Sequence, residues 1–225
     1  MRIFAFFISV MMSALSIPAF AADKMVIDTF SDGDQRSEAG GWWYTYDDAR
    51  LGGNSQCAPS PGGFTPTQGT DSQGWAARLT GLTGTKLGWD FFGMGVTLTE
   101  DSGCPTANPV DISAYSTLEF KIKGSASAGR LTVALIYSDN TCQGNLPNTK
   151  TAWADYQAAV TADLSATWTT VKLDLRNDFA QPFWTKAEHV VSIEEVLRQA
   201  HVIQWHFSSA DGDTLDLWID DIMLY

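Results

Sequence analysis

The sequence predicts an all-β domain, a two-sheet antiparallel sandwich of jelly-roll type with one short helix. Three observations predict it. Apolar residues recur with a period of two, the stretches between them are rich in Gly, Asn, Ser and Pro, and a single segment carries helix signals. One short helix argues against an α/β fold, and alternating strands separated by turns suit two packed sheets.

The elements follow in chain order. Trp75 to Leu79 and Gly93 to Leu98 are short apolar stretches that read as strands. Leu118-Glu119-Phe120-Lys121-Ile122-Lys123 puts three apolar residues on one face and charges on the other, the pattern of a half-buried antiparallel strand. Leu131 to Tyr137 follows a turn from Gly124 to Gly129, and the two segments read together as a hairpin. Thr169 to Leu175 repeats the alternation, with Val171, Leu173 and Leu175 inward. Ser192 to Ala200 is the helix: Ser192 suits the N-cap, and Glu194 and Glu195 suit the positive end of the helix dipole. His201 to Phe207 and Leu215 to Tyr225 are the last strands.

Residues 1–21 have a basic start, an apolar run from Ile3 to Leu15, and small residues at Ala19 and Ala21. These are the parts of a secretory signal peptide cleaved after Ala21, and the run is short for a membrane span. The expectation is a secreted protein without membrane insertion, in extracellular, periplasmic or cell-surface surroundings. No internal repeat or long Pro/Ser linker divides the remainder, so 22–225 is read as one domain. Cys57, Cys104 and Cys142 remain, and export makes a disulfide plausible. Three is an odd number, and spacing does not say which two would join.

The 225 residues carry 14 basic and 26 acidic side chains, a formal charge of −12. Arg2 leaves with the signal peptide, and the charge becomes −13. Without a basic cluster, nucleic acid and anionic membranes are poor partners, because phosphate binding needs local positive charge. Acidic polysaccharides are disfavoured for the same reason. Neutral ligands and a bound cation remain compatible.

Candidate chemistry comes from two residue types. Asp28 and Asp32 near the start and Asp220 and Asp221 near the end would meet if the first and last strands were neighbours. Calcium takes six to eight oxygens, which Asp side chains and turn carbonyls supply; the competing reading is ordinary turn and cap Asp residues. Aromatic rings beside polar groups are the second type. A pyranose offers C–H faces that stack on rings and hydroxyls that need polar partners. Trp43, Tyr46 and Asp47, Trp89, Tyr137 and Asp139, and Trp184 are such groupings. Each ring could equally serve the core. In Val202 to Phe207, alternation puts Ile203, Trp205 and Phe207 inward and turns Gln204 and His206 to the opposite face.

The Asp28-Thr29-Phe30-Ser31-Asp32-Gly33-Asp34 opening, the Gly40 to Asp48 run Gly-Gly-Trp-Trp-Tyr-Thr-Tyr-Asp-Asp and the Ile219-Asp220-Asp221-Ile222 ending resemble carbohydrate-binding modules of family 11 and their galactose-binding-like relatives. Phe179 to Trp184, the short helix and Val202 to Trp205 are similar to the later part of such modules. The resemblance implies a β-jelly roll whose concave face binds β-glucan, with structural calcium at Asp28, Asp32 and Asp220.

The function expected is non-catalytic recognition of a neutral polysaccharide, cellulose or mixed-linkage β-glucan, in association with secreted polysaccharide-degrading enzymes. A small glycan-active enzyme on the same scaffold and a cell-surface adhesion or protein-interaction module compete with it, since fold does not settle function. Acids such as Glu119, Glu194 and Glu195 are explained by a strand face and a helix start, and no Ser nucleophile elbow or His-Glu-x-x-His motif is present.

Overall fold

The computed structural model describes residues 24–69, 74–100, 108–138, 151 and 153–225, with the backbone of 142–143 and 146–147. The expected signal peptide, Asp139, Cys104 and the Cys142 side chain lie outside the described residues. Among the described residues, fourteen strands and one α-helix appear in the order β1 (Met25–Asp28), β2 (Trp43–Asp47), β3 (Gln56–Ala58), β4 (Thr67–Gln68), β5 (Trp75–Leu82), β6 (Asp90–Thr97), β7 (Thr117–Ala126), β8 (Arg130–Tyr137), β9 (Cys142–Gln143), β10 (Leu146–Pro147), β11 (Tyr156–Ala159), β12 (Thr169–Asp174), α1 (Ile193–Arg198), β13 (Ala200–Ser209) and β14 (Thr214–Leu224).

They form the expected two-sheet antiparallel sandwich. One sheet runs β12-β7-β14-β5-β3, with β1 added to β14 and β4 to β5; the other runs β11-β8-β13-β6-β2. β9 and β10 pair only with each other. First and last strands are indeed neighbours, Met25 opposite Leu224 and Asp28 opposite Ile222.

Alternation decides what meets between the sheets. Leu79, Phe120, Ile122, Leu217 and Ile219 from one sheet face Phe92, Met94, Val96, Leu135, Ile203, Trp205 and Phe207 from the other, and all are essentially fully buried. Each such side chain contributes roughly 1.5–3 kcal/mol on leaving water, before conformational entropy offsets it. Buried rings dominate one region, where Trp43 stacks on Phe64 at 5.2 Å and on Trp205 at 5.7 Å.

The hairpin expected for 118–137 is corrected. β7 pairs with β12 and β14, whereas β8 pairs with β11 and β13, so the two strands lie in opposite sheets. Both carry an apolar face, and placing them across the sandwich lets Phe120 and Ile122 meet the layer of Val133 and Leu135. Ser127 secures the crossing: its N–H donates to Thr214 O at 3.1 Å and its hydroxyl to Asp213 Oδ1 at 2.7 Å.

Helix α1 starts at the expected cap, with Ser192 Oγ accepting from the Glu195 N–H at 3.2 Å. Its Val196 and Leu197 are buried against the sandwich. Arg176 fixes the helix start to the rest of the fold, donating to Glu194 Oε1 at 2.8 Å and to the carbonyls of Tyr115 and Ser113, each at 2.8 Å. On the outer face of the larger sheet, Trp218 lies beneath the Arg78 guanidinium at 4.8 Å and the Lys123 ammonium at 5.0 Å.

Candidate functional site: the outer face of the five-stranded sheet

In β2 the alternation sends Trp43 and Thr45 into the sandwich and Tyr44 and Tyr46 to the outside. Register then builds two rows across the sheet. Tyr44 stands opposite Gly95, Gly95 opposite Gln204, and Gln204 opposite Ala134. Tyr46, Gly93, His206 and Thr132 make the neighbouring row. The two glycines are required by close approach, because a Cβ on Gly93 would stand 2.4 Å from the Tyr46 ring and one on Gly95 would stand 2.9 Å from the Tyr44 ring. The tyrosines therefore lean across β6 to reach β13. Gln204 Nε2 donates to Tyr44 Oη at 2.6 Å, and Tyr46 Oη shares a hydrogen bond of 3.1 Å with His206 Nδ1.

The strip continues through ring contacts. Tyr46 and His206 stack at 6.0 Å, His206 meets Phe91 at 4.8 Å, and Phe91 stacks on Trp89 at 6.0 Å. Trp89 is 54% exposed. Its turn is held from beneath by buried Asp90, which accepts N–H groups from Lys86, Leu87 and Gly88 at 2.8–3.1 Å. Buried Asp48 anchors the next residue, accepting the Phe91 N–H at 3.0 Å.

Towards the other edge, Arg130 stands opposite Ser208, and Gln157 opposite Ala134, on this same face. Gln157 also pairs with Ala180, so the segment after Phe179 extends the sheet by one more bridge. An open cleft there is lined by Arg130, Gln157, Gln181, Phe183 and Trp184. Rings at both ends, with amide, hydroxyl, imidazole and guanidinium groups between them, can stack on flat apolar faces and hydrogen-bond to hydroxyls.

Burial shapes the titration of this region. The His206 imidazole is pushed down to about 4 by burial and then by the nearby Arg130 charge, so it is neutral at physiological pH. The Asp155 carboxyl, buried with the Thr151 hydroxyl donating to it at 2.7 Å, is pushed up to about 6 by burial. Burial also lifts Asp28 to about 6. The two carboxyls take up protons in the folded protein before they do in the unfolded chain, so their contribution to stability rises as pH falls from about 6 towards 4. His206 opposes them, because the unfolded imidazole is protonated first as pH falls below about 6.5. The expected result is that His206→Gln melts at increasing temperature on acidification from pH 7 to 4.5, while Asp155→Asn flattens the profile. Melting curves across that range check it; parallel profiles for all three proteins would contradict the burial argument.

The sequence-predicted residues divide cleanly. Tyr46, Gln204 and His206 share the outer face, Trp89 stands at one end and Trp184 in the cleft at the other. Two expectations are corrected. Trp43 is fully buried, its Nε1–H donating to Asp28 Oδ2 at 2.6 Å, because it alternates with Tyr44 and Tyr46. Tyr137 is 2% exposed and faces inward, its hydroxyl donating to Glu195 Oε1 at 2.9 Å. Asp47 alternates with Tyr46 and accepts the Ala49 N–H at 3.0 Å, a turn role. Tyr44, Phe91, Arg130 and Gln157 were missed, although Tyr44 lies two residues from Tyr46 and so on its face.

The Asp residues expected to hold calcium are engaged in hydrogen bonds and an ion pair. Among the described residues no three His, Cys, Asp or Glu side chains come together to hold a metal ion. Asp28 accepts the Phe30 N–H at 2.7 Å on one oxygen and Trp43 Nε1–H on the other, and Asp221 is paired with Lys121 at 2.6 Å. Asp32 accepts the Asp34 N–H at 3.2 Å, a local turn bond, and Asp220 accepts the Asp221 N–H at 2.8 Å where the register of β14 shifts. Cys57 is a free thiol, pushed up to about 11 by burial and then by Asp47, and so is unreactive.

Comparison with known proteins identifies the fold and the family. No curated protein matches the chain. Among solved structures, the family 11 carbohydrate-binding module of cellulosomal cellulase Lic26A-Cel5E of Clostridium thermocellum is similar at 16% identity and a TM-score of 0.51, over 91% of this chain and 95% of that one. The family 11 module from the same organism in complex with a β-1,3-1,4-mixed-linked tetrasaccharide gives 16% and 0.51, over 89% and 94%. The family 30 module of its cellulosomal cellulase Cel9D-Cel44B gives 17% and 0.52, over 91% and 98%. At such identities these likenesses show the fold. The family model for carbohydrate binding domain 30 matches residues 34–225, which narrows the resemblance to a carbohydrate-binding module and corrects the number from 11 to 30. The chain belongs to the carbohydrate-binding domain 30 family.

Proposed function

We propose that this protein is a secreted, non-catalytic binder of β-glucan, either cellulose chains or mixed-linkage glucan, working beside secreted polysaccharide-degrading enzymes. The observation that carries the reading is the outer sheet face on which Trp89, Phe91, Tyr46, His206, Tyr44 and Gln204 form one connected strip. Neutral sugars fit it because their C–H faces stack on rings and their hydroxyls replace water on the amide, phenol and imidazole groups. A neutral His206 keeps the strip uncharged. The β-glucan choice is further supported by the structurally similar family 11 module that holds a mixed-linked tetrasaccharide.

Electrophoresis through gels containing cellulose derivatives, mixed-linkage glucan or other polysaccharides tests this, beside an assay for new reducing ends. Retardation by the β-glucans without products is expected. Trp89→Ala and Tyr46→Ala should each weaken binding by about three- to tenfold, the value of one stacking contact. Unchanged retardation of both variants, or sugar products released by the protein, would overturn the reading.

A further inference from the structure

Three large apolar side chains on the segments around the cleft are exposed. Phe183 is 100% exposed, Trp184 52% and Trp153 62%. Scattered exposed rings are unremarkable, but neighbouring ones mark a contact surface. These sit on segments that one side chain ties together. Gln181 Nε2 donates to Ala154 O at 2.7 Å and to His189 O at 3.0 Å, while its Oε1 accepts the Val191 N–H at 3.0 Å. Both amide donors and one acceptor position are spent on the backbone of two segments, so its work is to hold the loop. The turn carrying Phe183 and Trp184 is closed by Thr185, whose N–H donates to Pro182 O at 3.0 Å.

This loop is continuous with the strip. From Phe91 the register crosses to Ser208 and then to Arg130, and from Gln157 to Ala180. At a strand spacing of ~4.8 Å, the four steps from β6 through β13, β8 and β11 to Ala180 cover about 19 Å, the reach of several sugar rings. Arg130, midway, makes no ion pair or hydrogen bond with any described residue, and its fork of donors can serve hydroxyl pairs.

We infer that the Phe183–Trp184 turn is a second, distal sugar-binding ridge, positioned by Gln181, so that a glucan chain crosses the strands from Trp89 over His206 and Arg130 to Trp184. The occupant is a neutral chain: rings at both ends suit pyranose faces, and the −12 formal charge of the whole protein repels a polyanion. This inference rests on the β-glucan reading and adds chain-length selectivity to it. Short oligosaccharides engage one ridge, and long ones engage both with little further entropy cost.

Calorimetric titration with a length series of cello- and mixed-linkage oligosaccharides tests it. The unaltered protein should bind long members more tightly than short ones. The double variant Phe183→Ala/Trp184→Ala, in which both residues are surface-exposed, should lose about fivefold or more on long oligosaccharides and nothing on those short enough to rest on the Trp89 ridge. Gln181→Leu should reproduce that length-dependent loss, a signature that a merely destabilised fold would not give. Equal affinity of the double variant and the unaltered protein for the longest member would overturn the inference while leaving the β-glucan reading intact. Failure of the unaltered protein to bind any member would strike the β-glucan reading itself. Tighter binding of a polyuronate, lost in Arg130→Gln, would overturn the neutral-chain assignment.

Discussion

Trp43→Ala abolishes cooperative folding or lowers stability by about 4–8 kcal/mol. The indole is fully buried, packed against Phe30 at 5.1 Å as well as Phe64 and Trp205. Truncating a core Trp costs about 3–5 kcal/mol through lost burial and the cavity left behind. A second loss accompanies it. Asp28, 1% exposed, would keep only the Phe30 N–H for its carboxyl, and a buried acceptor stripped of a donor adds about 1–3 kcal/mol. Domains are stable by only about 5–15 kcal/mol, so the variant sits at or below the folding threshold. Trp43→Phe separates the two effects, since it keeps a ring in the stack and removes only the N–H donor. Urea denaturation followed by circular dichroism measures both. A loss below about 1 kcal/mol for Trp43→Ala would show that the indole does not hold the sheets together.

If the strip is the glucan site proposed above, Gly95→Val weakens glucan binding by about tenfold or more with little change in melting temperature. The residue sits in the floor of the strip between Tyr44 and Gln204. A Cβ there would stand 2.9 Å from Gln204 Cγ and from the Tyr44 ring, both side-chain atoms that can swing away. Swinging away breaks the Gln204 to Tyr44 hydrogen bond and lifts the ring out of the row. Valine suits an extended strand, so the backbone tolerates the change. Gly93→Ala is the contrasting case. Its Cβ would meet the Trp205 carbonyl at 2.6 Å, a backbone atom, so β6 and β13 must separate and stability falls with binding. Affinity electrophoresis beside thermal melts distinguishes the two. Gly95→Val binding glucan like the unaltered protein would show that the Tyr44 row takes no part.

Local pattern made much of this molecule legible. The alternation in Leu118 to Lys123 and in Val202 to Phe207 predicted the buried faces, including Trp205 inward and His206 outward, because a strand's pleat admits only two directions. Ser192 predicted the helix start, since a side-chain oxygen at that position satisfies an N–H that the helix cannot. The same rule separates Trp43 and Thr45 from Tyr44 and Tyr46. Trp43 and Tyr46 lie on opposite faces, so both cannot touch one ligand.

Other features had no local signal. Nothing in the turn from Gly124 to Gly129 distinguishes a hairpin from a crossing between sheets; the choice depends on which partners, β12 and β14 or β11 and β13, each strand finds. For Tyr137 the alternation with Leu131, Val133 and Leu135 gives the inward face, but the partner of its buried hydroxyl, Glu195, lies on a helix far along the chain.

By itself, the order of residues determined the strand faces, the helix cap, the acidic charge and the all-β class, all of which depend on neighbours within a few positions. The tertiary structure alone decided which outward face became the candidate site, by setting Trp89, Tyr46, His206, Arg130 and Trp184 on adjacent strands and loops. It also decided that the terminal Asp residues satisfy hydrogen bonds and a lysine, with no three of them gathered around one point. The physical reason is common to both: long-range pairing follows from joint burial of two sheets, a property no short window of sequence contains.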